Sequence, residues 1–222
     1  MSHKPKKTVY KLGAIALLLI VALIPLQVIV FYISPPPESV EDFLALYHKS
    51  PILGMLSLDL LYIINNLLLI IPFIALFIRL KETSSTLSLA SLVVIIISLS
   101  IYFNTNPALE FLNLSKQYNE VTAVYDQQII MAACTSLLAN YTGTGFFIYY
   151  MLGGIAILLI SLAMIYDNEF GKPIIILGII SGATMLVPST VGMVGFVMSL
   201  LSLIPWIMYS VLVAFKLFKL EE

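Results

Sequence analysis

Apolar residues in this chain gather into six runs, and that clustering constrains the fold more than any motif does. The runs are Leu12–Ile33, Ile52–Ile78, Leu87–Phe103, Phe146–Tyr166, Ile174–Val187 and Val191–Phe215. Crossing ~30 Å of hydrocarbon takes ~20 residues at 1.5 Å each, which four runs supply. The runs Leu87–Phe103 and Ile174–Val187 are shorter and need polar flanks or a locally thinner bilayer. A further stretch, Ile129–Ala139, is too short to span and is expected to dip, dock or lie at the surface. With 60% hydrophobic against 10% charged residues, the reading is an all-α integral membrane protein. It forms one domain over residues 1–222, a multi-pass bundle of six transmembrane helices with a helical outer segment over residues 104–144.

Basic residues set the expected orientation. With the amino terminus cytoplasmic, Lys4, Lys6, Lys7, Lys11, Arg79, Lys81, Lys172, Lys216 and Lys219 lie inside, and Lys49 and Lys116 lie outside. Both termini are then cytoplasmic, in a cell membrane. The net charge of −1 hides this asymmetry, because Glu38, Glu41, Asp42, Glu110, Glu120 and Asp126 fall on the outer segments. Apart from that inner fringe no basic platform exists, so nucleic acid is not an expected partner. The first run holds Pro25 and Gln27 and leads into Pro35-Pro36-Pro37 rather than a small-residue cleavage site, so it reads as a retained helix and not a signal peptide. One cysteine, Cys134, excludes an intrachain disulfide.

Punctuation divides the helices. Pro51, Pro107 and Pro173 stand where helices begin, since proline lacks only an N–H that would go unpaired there. Thr83, Ser84 and Ser85 offer caps for the third span. Ser39 and Asp42 have the spacing of a capping box, and Val40, Phe43, Leu44 and Tyr47 follow at helical intervals, predicting a short amphipathic helix at the outer interface. Tyr118, Val121, Thr122, Tyr125, Ile129 and Ala132 recur at steps of three and four, predicting helix across the outer segment, either a lid or a helix packed on the bundle. Pro25, Pro72 and Pro205 lie inside runs and are expected to kink them. Gly178 and Gly182 form a GxxxG pair, Gly192, Gly195, Ser199 and Ser202 line one face of the last run, and Gly153, Ala156 and Ala163 one face of the fourth. Such faces serve close packing within the bundle, or a homodimer or membrane-protein seam through Gly178, Gly182, Gly192 and Gly195.

The candidate site lies on the second run. Asp59, Tyr62 and Asn66 at i, i+3 and i+7 share one helix face, with Asn65 adjoining, and Gln27 on the first run reaches a depth similar to that of Asp59. No basic residue lies within a span to balance Asp59. It must be neutralised by a proton, face a water-filled cavity, or pair with Lys49 or Lys116. It either lines a binding cavity or bonds a neighbouring helix through Gln27 or a tyrosine. Trp206, Tyr209, Tyr149 and Tyr150 would wall such a cavity, although the two neighbouring tyrosines also suit an outer aromatic belt.

Catalytic patterns are missing. His3 and His48 both lie outside the runs, so neither a zinc-protease helix nor a histidine-dependent nucleophile can be built, and one intramembrane acid does not make an aspartyl dyad. No metal or cofactor is expected. The segment Leu114-Ser115-Lys116-Gln117-Tyr118, then Asn140-Tyr141-Thr142-Gly143-Thr144-Gly145 through Tyr149-Tyr150, then Phe170-Gly171-Lys172-Pro173 to Gly178, resembles prokaryotic six-span proteins grouped as domain of unknown function 4386. The resemblance covers the half from Leu114 to Phe218 and implies six helices in a bacterial or archaeal cell membrane, with no catalytic residue to carry over. The expected function is non-enzymatic binding or translocation of a small amphipathic or cationic molecule, or a lipid, in an outward-facing cavity around Asp59. An accessory subunit for another membrane protein, or an intramembrane enzyme of unrecognised design, are the alternatives.

Overall fold

The computed structural model describes residues 3–187 and 192–221, and every regular element among them is helical. The elements are α1 (His3–Ile33), α2 (Val40–Lys49), α3 (Pro51–Ser57), α4 (Leu60–Leu80), α5 (Ser85–Thr105), α6 (Ala108–Glu120), α7 (Val124–Asn140), α8 (Phe146–Met164), α9 (Lys172–Thr184) and α10 (Gly192–Glu221), with a π-helical turn, Tyr141–Gly145, joining α7 to α8. Five segments are long and apolar enough to cross a membrane, those carrying α1, α4, α5, α8 and α10. At 13 residues α9 rises only about 20 Å. The predicted start of the last run, Val191, and the side chain of Lys4 lie outside the described residues.

The long helices close a ring. α1 packs between α4 and α10, α10 rests on α9, α9 on α8, α8 on α5, and α5 returns to α4. The outward faces are apolar, with Val28 63% and Ile204 65% exposed, while Ser88, Ser91, Ser98, Asn66, Ser161, Ser181 and Ser210 are buried inside. Water would not favour that inverted distribution, and it is compatible with a membrane-embedded multi-pass protein.

Small residues decide which neighbours touch closely. On α5, Ser88, Ser91, Ile95, Ser98, Tyr102 and Thr105 follow alternate steps of three and four and are all buried. Ser91 Oγ and Ser98 Oγ each donate across to α8, to the Ala156 and Tyr149 carbonyls, at 2.7 Å. On the other side of α8, a Cβ built on Gly182 would stand 2.8 Å from the Gly154 oxygen, and one on Gly178 would meet Tyr209 at 2.8 Å and the Ser161 side chain. The Gly178–Gly182 face is therefore closed inside the chain. Gly13 plays the same part where α1 meets α4 and α10, with Ala75 2.8 Å and Leu217 3.3 Å from its would-be Cβ.

Ion pairs gather at one end of the ring. Lys6 meets Glu82 at 2.9 Å and Lys216 meets Glu169 at 2.7 Å, and each lysine holds its partner's carboxyl below the usual glutamate value. Arg79 forks onto Asp167, Nη2 to Oδ1 and Nε to Oδ2 both at 3.0 Å, and the aspartate side chain is fully buried. This pair joins the end of α4 to the segment after α8. The inner ends expected from the basic residues thus share one end of the molecule.

The opposite end carries α2, α3, α6 and α7, which pack on one another. Ser39 caps α2 by accepting from the Asp42 N–H at 3.1 Å, and Phe43, Leu44 and Tyr47 form its buried face. Tyr47 donates to the Ala108 carbonyl at 3.0 Å, and Ser115 Oγ donates to the Leu44 carbonyl at 2.9 Å, tying α6 to α2. Two predicted continuities fail. The periodic stretch from Tyr118 to Ala132 is interrupted at residues 121–123, where Val121 and Ala123 are extended. The β-branched pair Val121-Thr122 gives a helix little support there. The run Ile52–Ile78 is likewise two helices, broken at Leu58-Asp59.

Replacing Gly182 with alanine should lower the melting temperature in detergent, because overpacking at such a contact costs about 1–3 kcal/mol. Gly171→Ala, whose nearest neighbour beyond the adjacent residues is 3.6 Å away, should melt like the parent. Equal melting of both variants would remove the tight contact between α8 and α9.

Candidate functional site

The break in the second run decides where its polar residues go. Asp59 has φ 63° and ψ 36°, the left-handed region, and is the only non-glycine residue with positive φ among the described residues. Aspartate enters that region more readily than bulky residues do. The break frees the Leu58 carbonyl, and Asn106 Nδ2 donates to it at 3.0 Å while also donating to the Tyr102 hydroxyl at 3.3 Å. Tyr141, presented by the π-helical turn where the backbone leaves helical geometry at Gly143, donates its hydroxyl to Asp59 Oδ2. Of the partners expected for Asp59, a tyrosine takes the place, and neither lysine pairs with it.

Beyond the break, α4 turns Tyr62, Asn65, Asn66 and Leu69 into a cavity of about 250 Å³ in the middle of the ring. Ile24 of α1, Ile95 of α5, Tyr149, Tyr150, Gly153 and Ile157 of α8, Met185 at the end of α9, and Ser199, Leu200, Ser202, Leu203 and Trp206 of α10 complete its wall. Asn66 is fully buried, and its Oδ1 accepts from the Tyr149 hydroxyl at 3.1 Å. Its Nδ2 has no hydrogen-bond partner. Ser202 Oγ donates to the Ser199 carbonyl at 2.7 Å, which leaves it to accept from the Tyr150 hydroxyl at 3.2 Å.

A second space of about 250 Å³ adjoins the first and shares Ile24, Tyr62, Asn65 and Leu203 with it. It is a cleft between α1 and α4, lined also by Leu23, Gln27, Val28, Phe31 and Leu61. The cleft exists because α1 buries side chains only in its first half, at Tyr10, Ala14, Ala16, Leu17 and Ile20, and none from Val21 to Ile33. Both polar atoms of the Gln27 amide are withdrawn from solvent and lack a partner.

The structure therefore gathers Tyr62, Asn66, Tyr149, Tyr150 and Trp206 around one cavity and sets Gln27 in the adjoining cleft. Two expected residues lie elsewhere. Tyr209 stacks on Trp206 with centroids 6.0 Å apart but sits beneath the cavity, its hydroxyl 3.9 Å from Met164 Sδ. Asp59 lines neither space. The rings of Tyr62, Tyr102 and Tyr149, with centroids 4.8 to 6.4 Å apart, pack into one cluster beside the cavity. The cavity centres on Asn66 rather than on the acid, and a cationic ligand would find no carboxylate in its wall. Sequence reasoning passed over Tyr102, Asn106 and Tyr141, which meet Tyr149, Leu58 and Asp59 from distant parts of the chain. Among the described residues no group of three or more acidic, histidine or cysteine side chains is placed to hold a metal ion.

Stability should separate the parts played by Asp59. Tyr141→Phe removes only the hydroxyl and should cost about 1–3 kcal/mol by leaving the half-buried acid unpaired. Asp59→Asn keeps both the left-handed backbone and a hydrogen-bonding side chain and should melt close to the parent, whereas Asp59→Leu should melt well below both variants. Equal melting of all four proteins would mean that neither the bond nor the backbone break matters. No family model, no curated protein and no solved structure matches this chain.

Proposed function

We propose that this chain is a six-span membrane protein that binds a small amphipathic molecule, or a lipid, inside its helix ring and exchanges it with the bilayer through the cleft beside α1. One observation carries the reading: an interior cavity with a mainly apolar wall and a few converging polar groups continues into a cleft between two helices. Ligand sites have that composition, and about 250 Å³ is near the low end of their usual size. An opening between apolar outer faces admits molecules already dissolved in the bilayer. In this reading α9 makes the short fifth crossing, as the resemblance of the C-terminal half to six-span proteins implied. The end with Lys6, Arg79 and Lys216 is cytoplasmic by the excess of basic residues.

Native mass spectrometry of protein released from gentle detergent tests the binding. A retained mass of a few hundred daltons is expected, matching a ligand of about drug size. Gly153→Leu should abolish it without unfolding the protein, because a Cβ at Gly153 meets nothing closer than 3.5 Å and the longer side chain would fill the cavity. A co-purified polypeptide that persists in this variant would instead favour an accessory subunit, and a bare chain in both would remove the reading.

Orientation has its own test, with buried Cys134 replaced by serine. Cysteines placed at the exposed positions Glu38 and Asn119 should label from outside intact cells, and those at Thr83 and Asn168 should not. The reverse pattern would invert the topology.

A further inference from the structure

We infer that the molecule held in this cavity has an uncharged, hydrogen-bonding head on an apolar chain, and that the carboxamides of Gln27, Asn65 and Asn66 receive the head in turn. This rests on the proposed ligand-binding role of the cavity and names the class of ligand. Asn66 supplies the strongest observation. Its oxygen is committed to Tyr149, while its Nδ2, buried with the rest of the side chain, has no partner. A buried N–H without an acceptor is costly, and an acceptor brought by a ligand would satisfy it. A carbonyl, ether or hydroxyl oxygen fits that donor.

Gln27 repeats the pattern at the cleft with a donor and an acceptor, both desolvated and both unpartnered. Asn65 lines the cleft and the cavity alike. The three residues therefore follow one another from the side of the ring next to α1 to its centre.

The lining also decides the charge. No acidic or basic side chain among the described residues lines either space. A charged head drawn from the interface into this site would lose its hydration and gain no counter-ion, whereas an amide or alcohol exchanges water for carboxamide bonds at little cost. Ile24, Leu69, Ile95, Ile157 and Leu203 offer the apolar chain its surface.

Trp206 is the only tryptophan in the protein and lies in the cavity wall, so tryptophan fluorescence reports from this site alone. Three probes carry one brominated alkyl chain ending in a primary amide, a carboxylate or a trimethylammonium group, and are titrated into the full-length protein in lipid nanodiscs. The amide probe should quench Trp206 saturably, at concentrations about tenfold lower than the two charged probes, and the unbrominated amide should reverse it, as expected for one or two hydrogen bonds. Gln27→Leu removes a group that bonds nothing, so this variant should melt no lower than the parent while losing most of the preference for the amide. The double variant Asn66→Leu with Tyr149→Phe removes both halves of one bond and should lose the preference as well. Saturable quenching that is equal for all three heads, or an amide preference unchanged in both variants, would overturn the assignment of the head while leaving ligand binding in place. Linear quenching that the competitor does not reverse, the same for every probe, would overturn this inference and the binding role together.

Discussion

How closely α8 can be approached from its two sides governs the shape of the whole bundle. Apolar helices gain little by exchanging lipid for one another, so contact has to come from backbone proximity and from hydrogen bonds that small side chains permit. α8 has both. Ser91 and Ser98 of α5 reach its carbonyls on one side, and on the other Gly154 faces Gly182 of α9 across backbone atoms. These three helices form the rigid wall of the ring. α1 has one comparable contact, at Gly13, and beyond Ile20 it buries nothing. The cleft follows from that difference between a helix held along its length and one held only through its first half.

The polar groups divide into those that are paired and those that are left open. Arg79 and Asp167 form an ion pair at the basic end, which also joins α4 to the end of α8. Asp59 is turned out of the helix by its left-handed backbone and met there by Tyr141, so this acid completes a bond to the turn before α8 and lies outside the cavity wall. The Asn66 amide nitrogen and both polar atoms of the Gln27 amide are buried without a partner in side chains that line the two spaces. That division makes a neutral amphiphile a better fit than the cation that an isolated acid in the sequence invites.

Much of the molecule could be read along the chain. The helical segments, the cap at Ser39, the proline starts at Pro51 and Pro173, the short fifth run and the gathering of basic residues at one end all follow from patterns a few residues long. Of the aromatic residues expected to wall a cavity, Tyr149, Tyr150 and Trp206 line one, together with Tyr62 and Asn66 from the expected face of the second run. Asp59 and Tyr209 do not, and the reason differs for each. Asp59 was placed by extending a helix through a position where the backbone reverses, and Tyr209 by its face alone, without the close approach of Gly178 that buries it.

Sequence alone determined that this chain is a set of long apolar helices with polar ends, because hydropathy and capping act over a few neighbouring residues and leave their mark in order. Tertiary structure alone decided which helices touch and which part, where the cavity lies, and which polar side chains remain without a partner. Those outcomes depend on pairs such as Asn66 with Tyr149 and Asn106 with Leu58, separated by 83 and 48 positions. The energy of such a contact belongs to the meeting of two surfaces, and neither surface carries it by itself.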